Sequence, residues 1–273
     1  MRKTCFFDRL ARAQKRKRSL LCVGLDPDPA KLPSVFRRRN GADVARFCRA
    51  VIEATANIAC AYKPNWAFYE AMGLEGMKAL EKVIEAVPDG TPIIADAKRG
   101  DIGNTARAYA RAMFETWGVD AVTVSPYMGT ETLEPFLDYP DRAVYALCLT
   151  SNPGAADFET PNRLYLRVAR TLAAHPHAGR IGLVVGATQA RRIVAVRRAA
   201  PSLPFLLPGI GSQGGSARAA VRGASGEAPG SVLVNVSRSV LYASQGPDFA
   251  EAARVAAEDC RRMLEACASG RNV

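Results

Sequence analysis

The chain is 273 residues long and is marked first by what it lacks. It has no apolar run of about 18 residues, so no segment reads as a membrane-spanning helix. The stretch Met1 to Phe7 has neither the apolar core nor the cleavage site of a signal peptide. There are only two histidines, His175 and His177, flanking Pro176. Two imidazoles cannot alone build a metal site, and they offer no Ser-His-Asp arrangement. Both read as surface residues on the side of the fold away from any ligand. The seven cysteines, Cys5, Cys22, Cys48, Cys60, Cys148, Cys260 and Cys267, contain no Cys-x-x-Cys pair. An odd, scattered set reads as reduced thiols in a cytoplasmic protein, not as a disulfide framework. Aromatic residues make up 7% of the chain and are not interleaved with the basic runs Lys15 to Arg18 and Arg37 to Arg39. No nucleic-acid-binding motif is present, so the net charge of +11 points to an anionic substrate or an arginine-rich surface rather than to nucleic acid. Asn235-Val236-Ser237 fits the glycosylation sequon, but it ends an apolar run and is expected in a buried strand.

What is present is a rhythm. Leu20 to Leu25, Ala59 to Pro64, Pro92 to Lys98, Ala121 to Ser125, Ala143 to Leu149, Ile181 to Gly186, Phe205 to Gly209 and Ser231 to Val236 are short, nearly continuous apolar runs. Such runs fit strands buried on both faces of a parallel sheet. Amphipathic helical patterns separate them, as at Asp43 to Asn57, Leu74 to Val87 and Phe249 to Ala268. Eight strand-helix repeats in one chain, with no linker that would divide it, predict an α/β fold of the (β/α)₈ TIM-barrel type. The expectation is a single domain spanning residues 1–273, with an extra N-terminal helix over Phe6 to Arg18 that covers the barrel bottom.

One stretch turns from apolar to charged without a spacer: Ile93-Ile94-Ala95-Asp96-Ala97-Lys98-Arg99-Gly100-Asp101. Alternation along a strand puts Asp96 and Lys98 on one face, and Asp101 follows beyond the turn at Gly100. Charge carried into a partly desolvated strand end is costly unless it is paired or used. In a barrel all such ends open on one mouth. Asp26 would arrive there from the first strand, Lys63 from the second, Ser151 from the fifth and Arg238 from the eighth. The glycines of Gly209-Ile210-Gly211-Ser212-Gln213-Gly214-Gly215 expose backbone N–H groups where barrels often hold phosphate, and Arg238 can clamp a phosphate bidentately. This segment also fits G-x-G-x-x-G, but six strands precede it, which is the wrong place for a dinucleotide fingerprint.

Asp96-x-Lys98-x-x-Asp101-Ile102-Gly103-Asn104-Thr105 resembles the signature of the orotidine 5′-phosphate decarboxylase family. Leu25-Asp26, Tyr62 to Glu70, Thr150 to Gly154, Pro208 to Gly215 and Arg238 add to the likeness in family order, and Lys63-Pro64 resembles its longer bacterial branch. The resemblance implies conversion of orotidine 5′-monophosphate to uridine 5′-monophosphate and CO₂, the last step of de novo pyrimidine synthesis. It implies a homodimer and no metal or organic cofactor. Lys63, Asp96, Lys98 and Asp101 would form an alternating charge array, with Lys98 as proton donor to C6 and Asp96 against the substrate carboxylate. Asp101 and Thr105 would reach the neighbouring subunit's site. Asp26 and Lys63 would hold ribose hydroxyls, Ser151 the pyrimidine, and Gln213 and Arg238 the phosphate, with Gly211 and Gly214 in the phosphate loop. Ser237 stands where the family commonly has glycine.

Two other readings compete. A related barrel that decarboxylates or condenses keto-sugar phosphates uses a similar D-x-K-x-x-D segment with Mg²⁺, but would place an acidic ligand where this chain has Lys63. A basic nucleic-acid-binding protein on an inactive barrel would lack one of the mouth charges, and all four are present.

Overall fold

The computed structural model describes residues 4–187, 190–209 and 214–269. In chain order the elements are α1 (Phe6–Lys17), β1 (Leu21–Leu25), α2 (Gly41–Thr55), β2 (Ala61–Pro64), α3 (Trp66–Glu70), α4 (Gly73–Glu85), β3 (Ile94–Arg99), α5 (Gly103–Arg111) and β4 (Ala121–Val124). They continue with α6 (Glu134–Leu137), β5 (Ala143–Leu149), α7 (Leu164–Ala173), β6 (Ile181–Val185), α8 (Ala190–Ala199), β7 (Phe205–Pro208), α9 (Gly214–Ala224), β8 (Val232–Val236), α10 (Arg238–Leu241) and α11 (Phe249–Ser269).

The eight strands form one parallel sheet in the order β2-β1-β8-β7-β6-β5-β4-β3. Its two ends meet through the isolated bridges Tyr62↔Ile93 and Asn65↔Asp96, which bring the sheet round into a nearly closed barrel. This is the TIM-barrel fold expected from the apolar runs. Most strand residues are fully buried, as a sheet covered inside by side chains and outside by helices requires.

The helices are placed by ordinary local signals. The Asn40 side chain accepts the Asp43 N–H at 3.1 Å and caps α2, while Asn65 accepts the Ala67 N–H at 3.3 Å and starts α3. The extra N-terminal helix closes the barrel bottom, as expected. Phe6, Phe7, Leu10 and Ala13 enter a cluster with Cys22, Tyr145, Leu206 and Leu233 from inside the barrel. Both phenylalanine rings meet Tyr145 edge-on, at 6.1 and 5.6 Å between centroids.

Arg197 on α8 fastens the same end. It stacks on Phe205 at 3.7 Å and donates to the carbonyls of Ala200, Leu203 and Ala224 at 3.0 Å or less. With no carboxylate among these partners, burial pulls its guanidinium down to about 10.

The sequence placed both histidines on the surface, and the structure corrects this for His175. Its side chain is 6% exposed and its Nε2 lies 3.1 Å from Glu134 Oε1, because the turn after α7 folds back onto α6.

Candidate active site

Every second residue of a strand faces the barrel axis. On β1 to β4 and β8 the lower inward positions are Cys22, Ala61, Ile94, Ala121 and Leu233. Two residues further along they are Gly24, Lys63, Asp96, Thr123 and Asn235. The interior therefore changes from apolar to polar over a single step of the strand.

Asp96 is the hub. Lys63, only 3% exposed, donates from its ammonium to Asp96 Oδ2. Lys98 Nζ, from a half-exposed side chain, donates to Asp96 Oδ1 at 2.6 Å. The Thr123 hydroxyl donates to the same oxygen at 3.2 Å. That hydroxyl also accepts the backbone N–H groups of Ala97 and Lys98, at 3.1 and 2.9 Å. The second contact explains an unusual backbone. The pairing of β3 with β4 shifts register between Ala95 and Arg99, and Lys98 sits at φ +43°. A left-handed conformation costs a non-glycine residue about 1–2 kcal/mol. Thr123 holds it there and so aims the Lys98 side chain back onto Asp96.

The charges settle one another. Burial alone would raise the Asp96 carboxyl, but the Lys63 and Lys98 ammonium groups bring it down to about 2. Burial would likewise lower the Lys63 ammonium, yet Asp96 and Asp26 keep it above its ordinary value. Asp96 and Lys63 are therefore both ionised at neutral pH. Beneath them Cys22 is fully buried, and burial pushes its thiol well up, leaving it a neutral neighbour.

Asp26, Lys63 and Asp96 line one side of a cavity of about 480 Å³, and Ser151, Gly209 and Arg238 the other. Lys98 joins the site through its ion pair with Asp96. Gly209 takes φ +83°, a turn that suits glycine, and leaves β7 for the loop preceding α9. Arg238 opens α10 directly after β8. The structure thus brings together Asp26, Lys63, Asp96, Lys98, Ser151 and Arg238. Gln213 and Gly211 lie outside the described residues, and Gly214 is the first residue of α9. Asp101 and Thr105 are not among the residues lining this cavity. Asp101 Oδ1 accepts the Ile102 N–H at 2.8 Å, and Thr105 is exposed on the first turn of α5.

Three participants were not singled out from sequence. Thr123 could have been found as a polar residue at an inward position between Val122 and Val124. Tyr242 could not: its hydroxyl accepts the Asp28 N–H at 2.7 Å and donates to the Asp26 carbonyl at 3.2 Å, fixing the loop after β1 from a distant part of the chain. Glu159 accepts the Thr150 N–H at 2.6 Å and ties down the loop that carries Ser151.

A sequence profile described as "Orotidine 5'-phosphate decarboxylase / HUMPS family" matches residues 19–254. The chain belongs to that family. The orotidine 5′-phosphate decarboxylase of Roseiflexus castenholzii is 48% identical over 267 residues, covering 96% of this chain and 97% of the relative. That of Herpetosiphon aurantiacus is 47% identical over 259 residues, covering 93% and 95%. Among solved structures, the OMP decarboxylase of Leishmania donovani superposes with a TM-score of 0.83 at 41% identity, over 97% of this chain and 99% of that one. The matched segment begins at Ser19, after α1, and runs through every strand that contributes to the cavity.

Proposed function

We propose that the chain decarboxylates orotidine 5′-monophosphate to uridine 5′-monophosphate and CO₂, as a carboxy-lyase of pyrimidine nucleotide synthesis. The observation that carries this reading is the Lys63–Asp96–Lys98 ladder, whose Lys63 and Asp96 line a cavity that also holds Arg238. Breaking the bond between C6 and the carboxylate leaves an electron pair on C6 that the ring does not delocalise. Stabilisation must come from charges fixed in advance. The Lys98 ammonium supplies positive field and then the proton that C6 takes up as CO₂ departs, and water restores the lysine. Asp96 stands against the substrate carboxylate and keeps Lys63 charged. Asp26 and Lys63 hold the ribose, and Ser151 the pyrimidine. Arg238 holds the phosphate together with Gln213 and the backbone N–H groups around Gly211 and Gly214.

The enzyme works as a homodimer in which Asp101 and Thr105 complete the partner's site. Two features support this. Neither residue lines the cavity of its own chain. Beside them Ile102, Tyr127 and Met128 expose apolar side chains, Tyr127 at 79%, on the adjacent loops after β3 and β4. The whole chain acts as one domain, in the cytoplasm, with no metal, organic cofactor or nucleic acid required. Among the described residues no helix is long and apolar enough to cross a membrane. The Mg²⁺-dependent sugar-phosphate reading fits less well, because the Lys63 ammonium already sits on Asp96, where that chemistry would need another acidic ligand.

The test is to follow pyrimidine absorbance with EDTA-treated protein and orotidine 5′-monophosphate. Turnover without added metal is expected, and activity that returns only with Mg²⁺ would overturn the charge-ladder mechanism. Mixing inactive Lys98→Ala with inactive Asp101→Ala checks the shared site. Hybrid dimers recover one intact site and regain turnover, whereas a self-contained subunit regains none.

A further inference from the structure

Arg99 ends β3, between Lys98 and the turn that leads to Asp101. Its side chain runs into the helical layer outside the barrel and is 22% exposed. Nη2 donates to Glu70 Oε1 at 2.6 Å, at the end of α3. The guanidinium also lies over the Tyr109 ring of α5, 5.2 Å from its centroid. The Arg99 carbonyl accepts the Ser125 N–H at 2.8 Å. Gly100 then passes so close to Ser125 that a Cβ there would lie 3.2 Å from its carbonyl oxygen. One residue thus ties the turn between β3 and α5 to α3, to α5 and to the residue that follows β4.

This grip bears on Asp101 and Thr105 rather than on Lys98. Asp101 lies just beyond Arg99 in the same turn. Thr105 stands one helical turn before Tyr109, on the same face of α5. Lys98 is held by other groups, its backbone by Thr123 and its ammonium by Asp96. Arg99 does not line the cavity of its own chain. A partly exposed pair such as Arg99–Glu70 adds little to stability, because water screens it and two long side chains must be ordered. Its larger effect is on geometry, since it sets the angle at which the turn and the first turn of α5 leave the barrel.

We propose that Arg99 is a positioning residue for the neighbouring subunit's site, setting where Asp101 and Thr105 are presented to it. The inference rests on the decarboxylase and shared-site readings above. Small shifts suffice, because a misplacement of about 1 Å can cost about 100-fold in rate.

Arg99→Met keeps the length of the side chain and removes its charge and donors. It is expected to lower kcat/KM for orotidine 5′-monophosphate about tenfold, with a melting temperature close to that of wild type. The deciding measurement mixes Arg99→Met with inactive Lys98→Ala. In a hybrid dimer the Arg99→Met chain supplies Lys98, and the other chain supplies Asp101 on an intact turn. Turnover of the mixture is expected to rise severalfold above the mean of its two parents. A mixture that stays at that mean, where Lys98→Ala with Asp101→Ala does recover, would place the action of Arg99 within its own subunit and overturn the proposal. Full activity of Arg99→Met alone would overturn it as well. If neither mixture recovers, the shared site is wrong and the inference goes with it. A wild type inactive on the nucleotide removes the decarboxylase reading instead, and the inference with it. If Arg99→Met does not fold, Glu70→Gln loosens the same guanidinium and enters the same mixing.

Discussion

The two halves of the barrel interior are built from the same strands and do opposite work. Below, Ala61, Ile94, Ala121 and Leu233 meet Phe6, Phe7 and Leu10 of α1 in an apolar plug. Above, the residues two steps later on the same strands are Lys63, Asp96, Thr123 and Asn235. Packing in the lower half fixes where the strands end. The charges of the upper half, where charge is costly, are held in place by their own ion pairs and the Thr123 hydroxyl. The difference teaches that rigidity and chemistry are separated here by about 7 Å of strand, two residues at strand rise.

The separation can be broken from either side. The largest effect is expected from Lys98→Ala, with kcat falling about 10³-fold or more, equivalent to about 4 kcal/mol or more of barrier. Because Lys98 is half-exposed, its melting temperature should stay close to that of wild type by calorimetry. Phe6→Ala is the counterpart below. It should cost about 3–4 kcal/mol in urea unfolding and leave kcat/KM of the folded fraction unchanged. A fall in kcat/KM there would show that the halves are not separate.

Acid should come next. The Asp96 carboxyl is drawn from 3.8 down to about 2, so its stabilising contribution is present above 3.8 and is lost as pH falls toward 2. Roughly 2 kcal/mol should disappear over that window, and Asp96→Asn should remove that part of the pH slope. Lys63 is shifted upward, so its contribution lasts through neutral pH and is lost only in alkali, above its ordinary value of 10.5. The smallest effect belongs to Tyr145→Phe. The Tyr145 hydroxyl is buried in the lower half with no hydrogen-bond partner, so its removal should change stability by no more than about 1 kcal/mol, and in the favourable direction.

Much of this architecture was legible in the sequence, because buried parallel strands write themselves as apolar runs. β5 was expected at Ala143 to Leu149 and lies there. The short helices α3 and α10 were not separated from the strand-end motifs they follow, since four or five residues carry no periodicity. α9 extends from Gly214 to Ala224, beyond the Ala217 to Val221 expected, because glycine and serine at its start read as loop. The charges at the mouth were legible by type and order. Their geometry was not. Nothing local marks Lys98 for a left-handed backbone, and the Thr123 hydroxyl that holds it comes from the next strand. His175 was misread because the Glu134 that receives it lies 41 positions earlier, brought close only by the fold.

The join between β2 and β3 bears on stiffness. Elsewhere in the wall neighbouring strands pair as ladders, two of them with a register shift, but here two isolated bridges close the ring. The Lys63–Asp96 ion pair spans that join. The charges that must keep a fixed spacing are therefore fastened across the join that isolated bridges close, and the ion pair acts there as a clasp. Any strain that parts β2 from β3 is felt first as a longer reach between ammonium and carboxylate. A ligand gripping both strands would stiffen the barrel at the point where its chemistry is tuned.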